Sequence, residues 1–145
     1  MVLPKILIVD DRVENLVGLE TLLDEFEVEF IRALSGNEAL GIAMAEDIAL
    51  VITDVQMPEM DGFEMVRFMK TVKRTKSIPV IFVSAIYSEN YYKIKGVKSG
   101  GVDFLTKPII PDILIGKVRV FLDIHNQKRL LTQEIEKSIK WVNYL

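Results

Sequence analysis

The sequence predicts a doubly wound α/β fold, a five-stranded parallel sheet with helices on both faces. Three observations carry this. Short aliphatic and β-branched runs at residues 5–9, 28–31, 48–53, 80–83 and 102–105 are too brief for helices and read as buried strands. Helical patterns fill the intervals, and that alternation implies parallel strands. Polar residues with chemical potential follow the runs: Asp10-Asp11, Asp54, Ser84 and Lys107. Right-handed crossovers leave few topologies. The order 2-1-3-4-5 brings the ends of strands one and three together at a switch point, the edge where open α/β sheets bind ligands.

Each element has a local reason. Lys5 to Val9 (Lys-Ile-Leu-Ile-Val) is the first strand. From Val13 to Phe26, Leu16, Val17, Leu19, Leu22, Leu23 and Phe26 recur at helical spacing, with Gly18 at a modest cost. Val28, Phe30 and Ile31 suggest strand two. Ser35 with Glu38 forms a capping box that starts a helix running to about Glu46. Ile48 opens strand three, which ends at Asp54. Asp61 is a natural N-cap for a helix carrying Phe63, Val66, Phe68 and Met69. Lys70, Lys73, Arg74 and Lys76 read as cations at that helix's C-terminal end. Pro79 introduces strand four, which ends at Ser84-Ala85. A weaker helix spans Tyr87 to Val97, closed by Gly100-Gly101 in the left-handed conformation. Val102 to Leu105 is a short fifth strand before Thr106-Lys107-Pro108.

Composition narrows the function. Half of the 145 residues are hydrophobic, enough for a real core, and the net charge of −3 gives no electrostatic reason to expect nucleic acid or anionic lipid. The absence of cysteine removes disulfides, thiolate metal sites and redox motifs. The first residues lack the regions of a signal peptide, and no apolar run approaches the ~18 residues that span a bilayer. A soluble cytoplasmic protein is the expectation.

The residues at the strand ends suit phosphoryl transfer to a carboxylate. Asp54 is read as the nucleophile that accepts the group. The adjacent pair Asp10-Asp11 offers either a helix N-cap or ligands for a hard cation, and Asp54 ending another strand favours the cation. Three carboxylates close together need a cation to stay ionised. Mg²⁺, with Mn²⁺ as a substitute, suits such oxygen ligands and neutralises phosphoryl charge. Lys107 offers a compact positive charge and Ser84 a hydroxyl donor, while the small Ala85 leaves room for the group.

Four separated motifs then identify a family. Ile-Leu-Ile-Val-Asp-Asp at 6–11, Asp-Val-Gln-Met-Pro-Glu-Met-Asp-Gly at 54–62, Ser-Ala at 84–85 and Phe-Leu-Thr-Lys-Pro at 104–108 resemble the receiver domain of two-component response regulators, over roughly residues 4–122. The resemblance implies a flavodoxin-like receiver fold with Asp54 as phosphoacceptor. It implies Asp10, Asp11, Asp54 and the main-chain carbonyl of Gln56 as Mg²⁺ ligands, and Ser84 and Lys107 as contacts to the phosphoryl group. It also implies a sensor histidine kinase or phosphotransfer protein as partner, and a phosphoacceptor that catalyses only its own phosphorylation and dephosphorylation. Ser84 and Phe104 take the place of the family's switch pair, with output through the face of helix four, strand five and helix five. Phe104 lacks the hydroxyl of the Tyr often found there, so its switching would work by packing. The stretch from Ser84 to Lys107 is one residue longer than in the commonest members, around Tyr87-Ser88-Glu89. Gln56 and Ile86 sit where the family varies residues that tune dephosphorylation, and Ile86 would hinder an attacking water. Tyr87, Tyr91 and Tyr92 lie near the output face.

The C-terminal segment departs from a minimal receiver. After Pro111-Asp112 the helical pattern runs on to Leu145 without Pro, and without Gly beyond Gly116. Leu114, Phe121, Lys128, Ile135 and Val142 are spaced by seven, with a companion series Lys117, Ile124, Leu131, Ser138 and Leu145. The expected division is a receiver at 1–122 and an extended, coiled-coil-like helix at 123–145. That extension would dimerise the protein in parallel or connect it to an output module such as a histidine kinase or diguanylate cyclase; the face of helix four, strand five and helix five is the other expected route to a homodimer. The alternative is a helix folded back on its own domain, or a frayed tail. His125, the only histidine, is followed by Asn126 rather than an acidic residue and reads as an exposed helix position, not a phosphodonor.

Other functions fit less well. Haloacid-dehalogenase-type phosphatases need a second Asp two residues after the nucleophile, where this chain has Gln56. A flavin module would want a Ser-, Thr- or Gly-rich phosphate loop after strand one, and Asp10-Asp11-Arg12 stands there instead. A purely structural dimerisation domain would not need Asp54, Lys107 and the acidic pair. Neither a Walker A loop nor a basic recognition helix is present.

Overall fold

A computed structural model describes residues 2–85, 95–96, 98, 100 and 103–144. Five strands, β1 (Lys5–Val9), β2 (Glu29–Ala33), β3 (Ile48–Asp54), β4 (Val80–Ser84) and β5 (Asp103–Thr106), form one parallel sheet in the order β2-β1-β3-β4-β5. Helices α1 (Val13–Leu22), α2 (Gly36–Ala45), α3 (Gly62–Lys70) and a C-terminal helix (Pro111–Tyr144) cover it.

Alternation along the strands builds two cores, one on each face. On β1, Leu7 and Val9 join Val51, Val80 and Phe82 beneath α2 and α3, where Ala39, Ala43, Phe63, Val66 and Met69 close the layer. Phe63 and Phe82 meet edge to face with centroids 4.9 Å apart. Ile6 and Ile8 point the other way, joining Leu50, Ile52, Ile81 and Val83 beneath Leu16, Leu19 and Leu23 of the α1 region and Leu114, Val118 and Leu122 of the C-terminal helix. Strands buried on both faces must be continuously apolar, and that is why the sequence runs are so plain.

Helix ends follow the predicted chemistry in two cases and differ in others. Ser35 Oγ accepts the Glu38 N–H at the start of α2, and Asp61 Oδ1 accepts the Glu64 N–H at the start of α3. Gly100 has φ +96°, as a left-handed helix end requires. The N-cap of α1 is Arg12, with no side-chain cap, so neither Asp10 nor Asp11 fills that position. α1 stops at Leu22 instead of Phe26: the Leu23 N–H still bonds the Leu19 carbonyl, but the chain then turns, and Phe26 packs on the core from the turn, under the Arg119 guanidinium. Of the four clustered cations only Lys70 lies in the last turn of α3; Lys73, Arg74 and Lys76 fall in the turns that follow. The expected helix over 87–97 is described only at Lys95 and Gly96, with Lys98 beyond, all helical. Ile86, the insertion around Tyr87-Ser88-Glu89, Tyr91, Tyr92, Gly101, Val102 and Leu145 lie outside the described residues.

Candidate functional site

The site arises from register. Val9 pairs with Thr53 across β1 and β3, so Asp10 emerges beside Asp54 at the same edge of the sheet. Asp54 pairs with Val83, and Ser84 with Thr106, which places the end of β4 and the loop after β5 along that edge. The Lys107 N–H donates to the Ser84 carbonyl at 2.8 Å and extends the ladder by one rung. The Lys107–Pro108 peptide is cis.

Carboxylate oxygens of Asp10, Asp11 and Asp54 lie within 4.8 Å of one another, the one such acidic cluster found among the described residues. Lys107 Nζ stands 3.8 Å from Asp54 Oδ1 and 3.9 Å from Asp10 Oδ2. Asp10 is nearly sealed, at 4% exposure, while Asp11 is open to solvent. Burial pushes the Asp54 carboxyl up to about 6; the Lys107 ammonium opposes this, and the Asp10 carboxylate adds to it. Burial also raises Asp10, against the pull of the Arg12 N–H, the Asn15 amide and Lys107. Crowded, half-desolvated carboxylates of this kind are stabilised by a small hard cation, and an all-oxygen donor set with one open flank suits Mg²⁺. The donor set therefore fits the metal that the sequence implies.

The remaining predicted residues sit around this centre. Ser84 is buried at the end of β4, with Oγ donating to the Ala85 carbonyl at 3.1 Å; Ala85 itself is exposed. Gln56 is exposed, two residues past Asp54 in the loop before α3. Phe104, on β5 opposite Phe82, is half-buried against the α2–α3 core. His125 is half-buried rather than exposed, beside Ile48, Pro79 and Phe121 at the opposite edge of the sheet. Burial lowers its pKa.

Two residues escaped sequence reasoning. Asn15 Nδ2 donates to Asp10 Oδ2 at 3.1 Å and fixes that carboxylate together with the Arg12 N–H at 2.9 Å. Thr53 is fully buried, and its hydroxyl donates to the Asp54 carbonyl. Asn15 stands five residues after Asp10 with no intervening pattern, so no signal marked it; Thr53 was the single polar residue of an apolar strand, which was one. Gly62 also serves the site. Its N–H donates to the Val55 carbonyl at 2.8 Å, and a Cβ there would collide with the Asp54 carbonyl oxygen. A cleft of about 550 Å³ opens beside Asp10, Asp54 and Lys107, walled by Gly18 and Leu22 of α1 and by Ile109.

A family described as the response regulator receiver domain matches residues 6–119. The chain is 38% identical over 115 residues to the response regulator PleD of Caulobacter vibrioides, covering 79% of this chain and 25% of PleD. It is 30% identical over 118 residues to the protein PilH of Pseudomonas aeruginosa, covering 81% of this chain and 97% of PilH. The chain spans between a quarter and a half of the length of several curated relatives it matches, PleD and a ycf27 regulator of Cyanophora paradoxa among them. In structure it is similar to the receiver domain of a signal transduction histidine kinase from Syntrophus aciditrophicus, with a TM-score of 0.75 and 32% identity over 83% of this chain and 90% of that one.

Proposed function

Since this chain belongs to the response regulator receiver domain family, we propose that it is a signalling switch set by phosphorylation of Asp54, with a sensor histidine kinase or phosphotransfer protein as donor. Receiver domains are phosphoacceptor signalling domains rather than conventional enzymes, and two-component signalling is the setting. The observation that carries the reading is the convergence of three carboxylates and one lysine, from the ends of β1 and β3 and the loop after β5, on a single point of the sheet edge.

In this reading Asp54 Oδ attacks the phosphorus of a phosphoimidazole. The new O–P bond forms as the N–P bond breaks, and the bonding pair returns to the imidazole, which takes up a proton. Asp10, Asp11, Asp54 and the carbonyl of Gln56 would hold Mg²⁺ (or Mn²⁺), which supplies neutralisation of the transferring phosphoryl oxygens. Lys107, already within 4 Å of Asp54, binds a phosphoryl oxygen as a compact cation. Ser84 rotates its hydroxyl from the Ala85 carbonyl to another phosphoryl oxygen, and Ala85 leaves the space for it. The cleft beside α1 has room for the donor ring. Hydrolysis of the acyl phosphate by water returns Asp54 and inorganic phosphate. Added charge at Asp54 biases the packing of Ser84 and Phe104, and the change leaves through β5 and the C-terminal helix. The exposed part of that helix beyond Leu122 supports a homodimer, with residues 1–122 as the receiver and 123–145 as the relaying extension. No helix among the described residues is long and apolar enough to cross a membrane, which supports a cytoplasmic setting.

Incubation with acetyl phosphate and Mg²⁺, read by intact mass, tests the acceptor. One phosphoryl group should appear on the natural chain and none on Asp54→Asn. Equal labelling of the variant would move the acceptor elsewhere. No labelling of either by acetyl phosphate or phosphoramidate would end the reading.

A further inference from the structure

The C-terminal helix carries an apolar stripe that its own domain leaves uncovered. Leu114, Val118 and Leu122 face the sheet and are buried. About a third of a turn around the helix, Ile113, Val120, Ile124, Leu131, Ile135 and Val142 are between 42% and 68% exposed. Their spacings run seven, four, seven, four, seven. Ile113, Ile124 and Ile135 therefore repeat at eleven residues, and so do Val120, Leu131 and Val142.

The two heptad series read from the sequence share Ile124, Leu131, Ile135 and Val142 with this surface, but the series through Leu114 does not describe its domain end. The first member of that series, Leu114, has no exposure, and its second, Phe121, packs partly against the same core. Neither is available to a partner, so a heptad seam would begin only past the domain. The eleven-residue repeat begins inside the domain, at Ile113, and continues to Val142. Eleven residues make 3.67 per turn, close to the 3.6 of a straight helix, so the stripe keeps to one face with a slow right-handed drift.

The flanks are charged in opposite senses at the same period. Asp112, Asp123 and Glu134 stand on one side, and Lys117 and Lys128 on the other. Two parallel copies in register set the acidic flank of each against the basic flank of the other, with Asp123 facing Lys128 of the second copy and Asp112 facing its Lys117. Lys117 already pairs with Asp103 at 2.7 Å within its own chain, so the second of these contacts is shared. An antiparallel pair sets acid against acid and base against base, which is repulsive.

We infer that a second copy of this chain docks on the stripe in parallel and in register, through an eleven-residue repeat that runs from the flank of the receiver domain at Ile113 out to Val142. This deepens the homodimer reading above and rests on it. Its consequence is that the two domains are held side by side along Ile113 and Val120, so a shift in the C-terminal helix of one domain is felt directly by the other.

The natural chain has no cysteine, so single cysteines report contacts cleanly. Val120→Cys, Ile124→Cys and Ile135→Cys, with Lys137→Cys as an off-stripe control, would each be made in the 145-residue chain, sized by light scattering under reducing conditions, and then oxidised with copper phenanthroline. A two-chain mass with disulfide dimers at Val120, Ile124 and Ile135 but not Lys137 is expected. Linkage at Ile124 and Ile135 without Val120 would overturn the eleven-residue seam while leaving the dimer. Equal linkage at Lys137 would also overturn the seam, and a one-chain mass would remove the dimer itself. Lys128→Asp should weaken association about tenfold by placing like charges at both symmetric contacts, and adding Asp123→Lys should recover most of it. A double variant no tighter than the single one would refute the facing of the flanks.

Discussion

Replacing Asp54 with Asn should stabilise the metal-free protein, and the gain should depend on pH in a defined way. Burial and the Asp10 carboxylate hold the Asp54 carboxyl up at about 6, against an ordinary value of 3.8. Between those two values the folded chain binds more protons than the unfolded one, so this group's contribution to stability falls as pH rises through 4 to 6 and is flat above. A rise of that size corresponds to about 3 kcal/mol. The side chain keeps 12% of its exposure, and water screens part of the cost, leaving about 1–2 kcal/mol. Asn is isosteric and uncharged, and its carbonyl can still accept the Val55 N–H that now reaches Asp54 Oδ1 at 2.9 Å. Asp10 is raised as well, so the two carboxyls titrate as a pair, and neutralising one relieves the other.

The assay is urea unfolding of both proteins in EDTA across pH 4 to 8, taking the difference so that other carboxylates cancel. The two curves should nearly meet at pH 4 and separate by about 1–2 kcal/mol at pH 7.5, a melting difference of roughly 2–8 °C for a chain of this size. Saturating Mg²⁺ should shrink or reverse the gap, because ligand binding to the native state adds stability where all three carboxylates remain. A difference independent of pH, or a variant less stable at pH 7.5 in EDTA, would refute desolvation and crowding as the dominant forces on Asp54.

Three further changes probe the site's construction. Lys107→Ala should slow labelling by acetyl phosphate roughly 100-fold, the scale for removing one preorganised charge-stabilising group, while leaving the far-ultraviolet spectrum unchanged; a rate within threefold of the natural chain would remove Lys107 from the chemistry. Gly62→Ala should cost about 2 kcal/mol or more, since its Cβ meets the Asp54 carbonyl at the turn that aims the carboxylate; undiminished stability would mean that the loop relaxes freely. Glu59 has φ 68°, a left-handed conformation that costs a side chain about 1–2 kcal/mol and that Asn tolerates. Glu59→Asn should therefore raise the unfolding midpoint, and a lowered midpoint would show that the glutamate side chain contributes more than the strain.

The fold was legible because its three central strands, β1, β3 and β4, are buried on both faces. Such strands leave unbroken apolar runs, and whatever ends each run stands at the sheet edge. Asp54, Ser84 and the Asp10-Asp11 pair could be placed from that alone. Residues whose role depends on a neighbour's orientation were less legible. Asn15 holds Asp10 only because α1 starts after the loop at Arg12 and swings the amide back, and no spacing rule encodes that turn. The end of α1 was misplaced for a related reason. Periodicity marks which residues reach the core, and Phe26 reaches it from a turn as well as it would from a helix.

The C-terminal helix shows the limit of periodicity most clearly. Leu114, Phe121, Ile135 and Val142 satisfy a seven-residue rule together, yet the first two face the sheet and the last two face away from any part of the described chain. A spacing rule cannot separate faces on a helix that packs on its own domain for its first turns, touches it last through His125 and Arg129, and runs clear of the described chain beyond them. Burial separates them. Once Leu114, Val118 and Leu122 are assigned to the sheet, six of the exposed apolar residues, Ile113, Val120, Ile124, Leu131, Ile135 and Val142, fall into a repeat of eleven, while Leu130, Ile139, Trp141 and Tyr144 lie off it. The acidic site and this stripe then meet at one helix: Lys107 opens the loop that leads into it, and Ile113 begins the stripe six residues later. Under the proposed function, a movement of Lys107 toward a phosphoryl group on Asp54 would pull on the first turn of the helix, where the proposed contact between two copies begins.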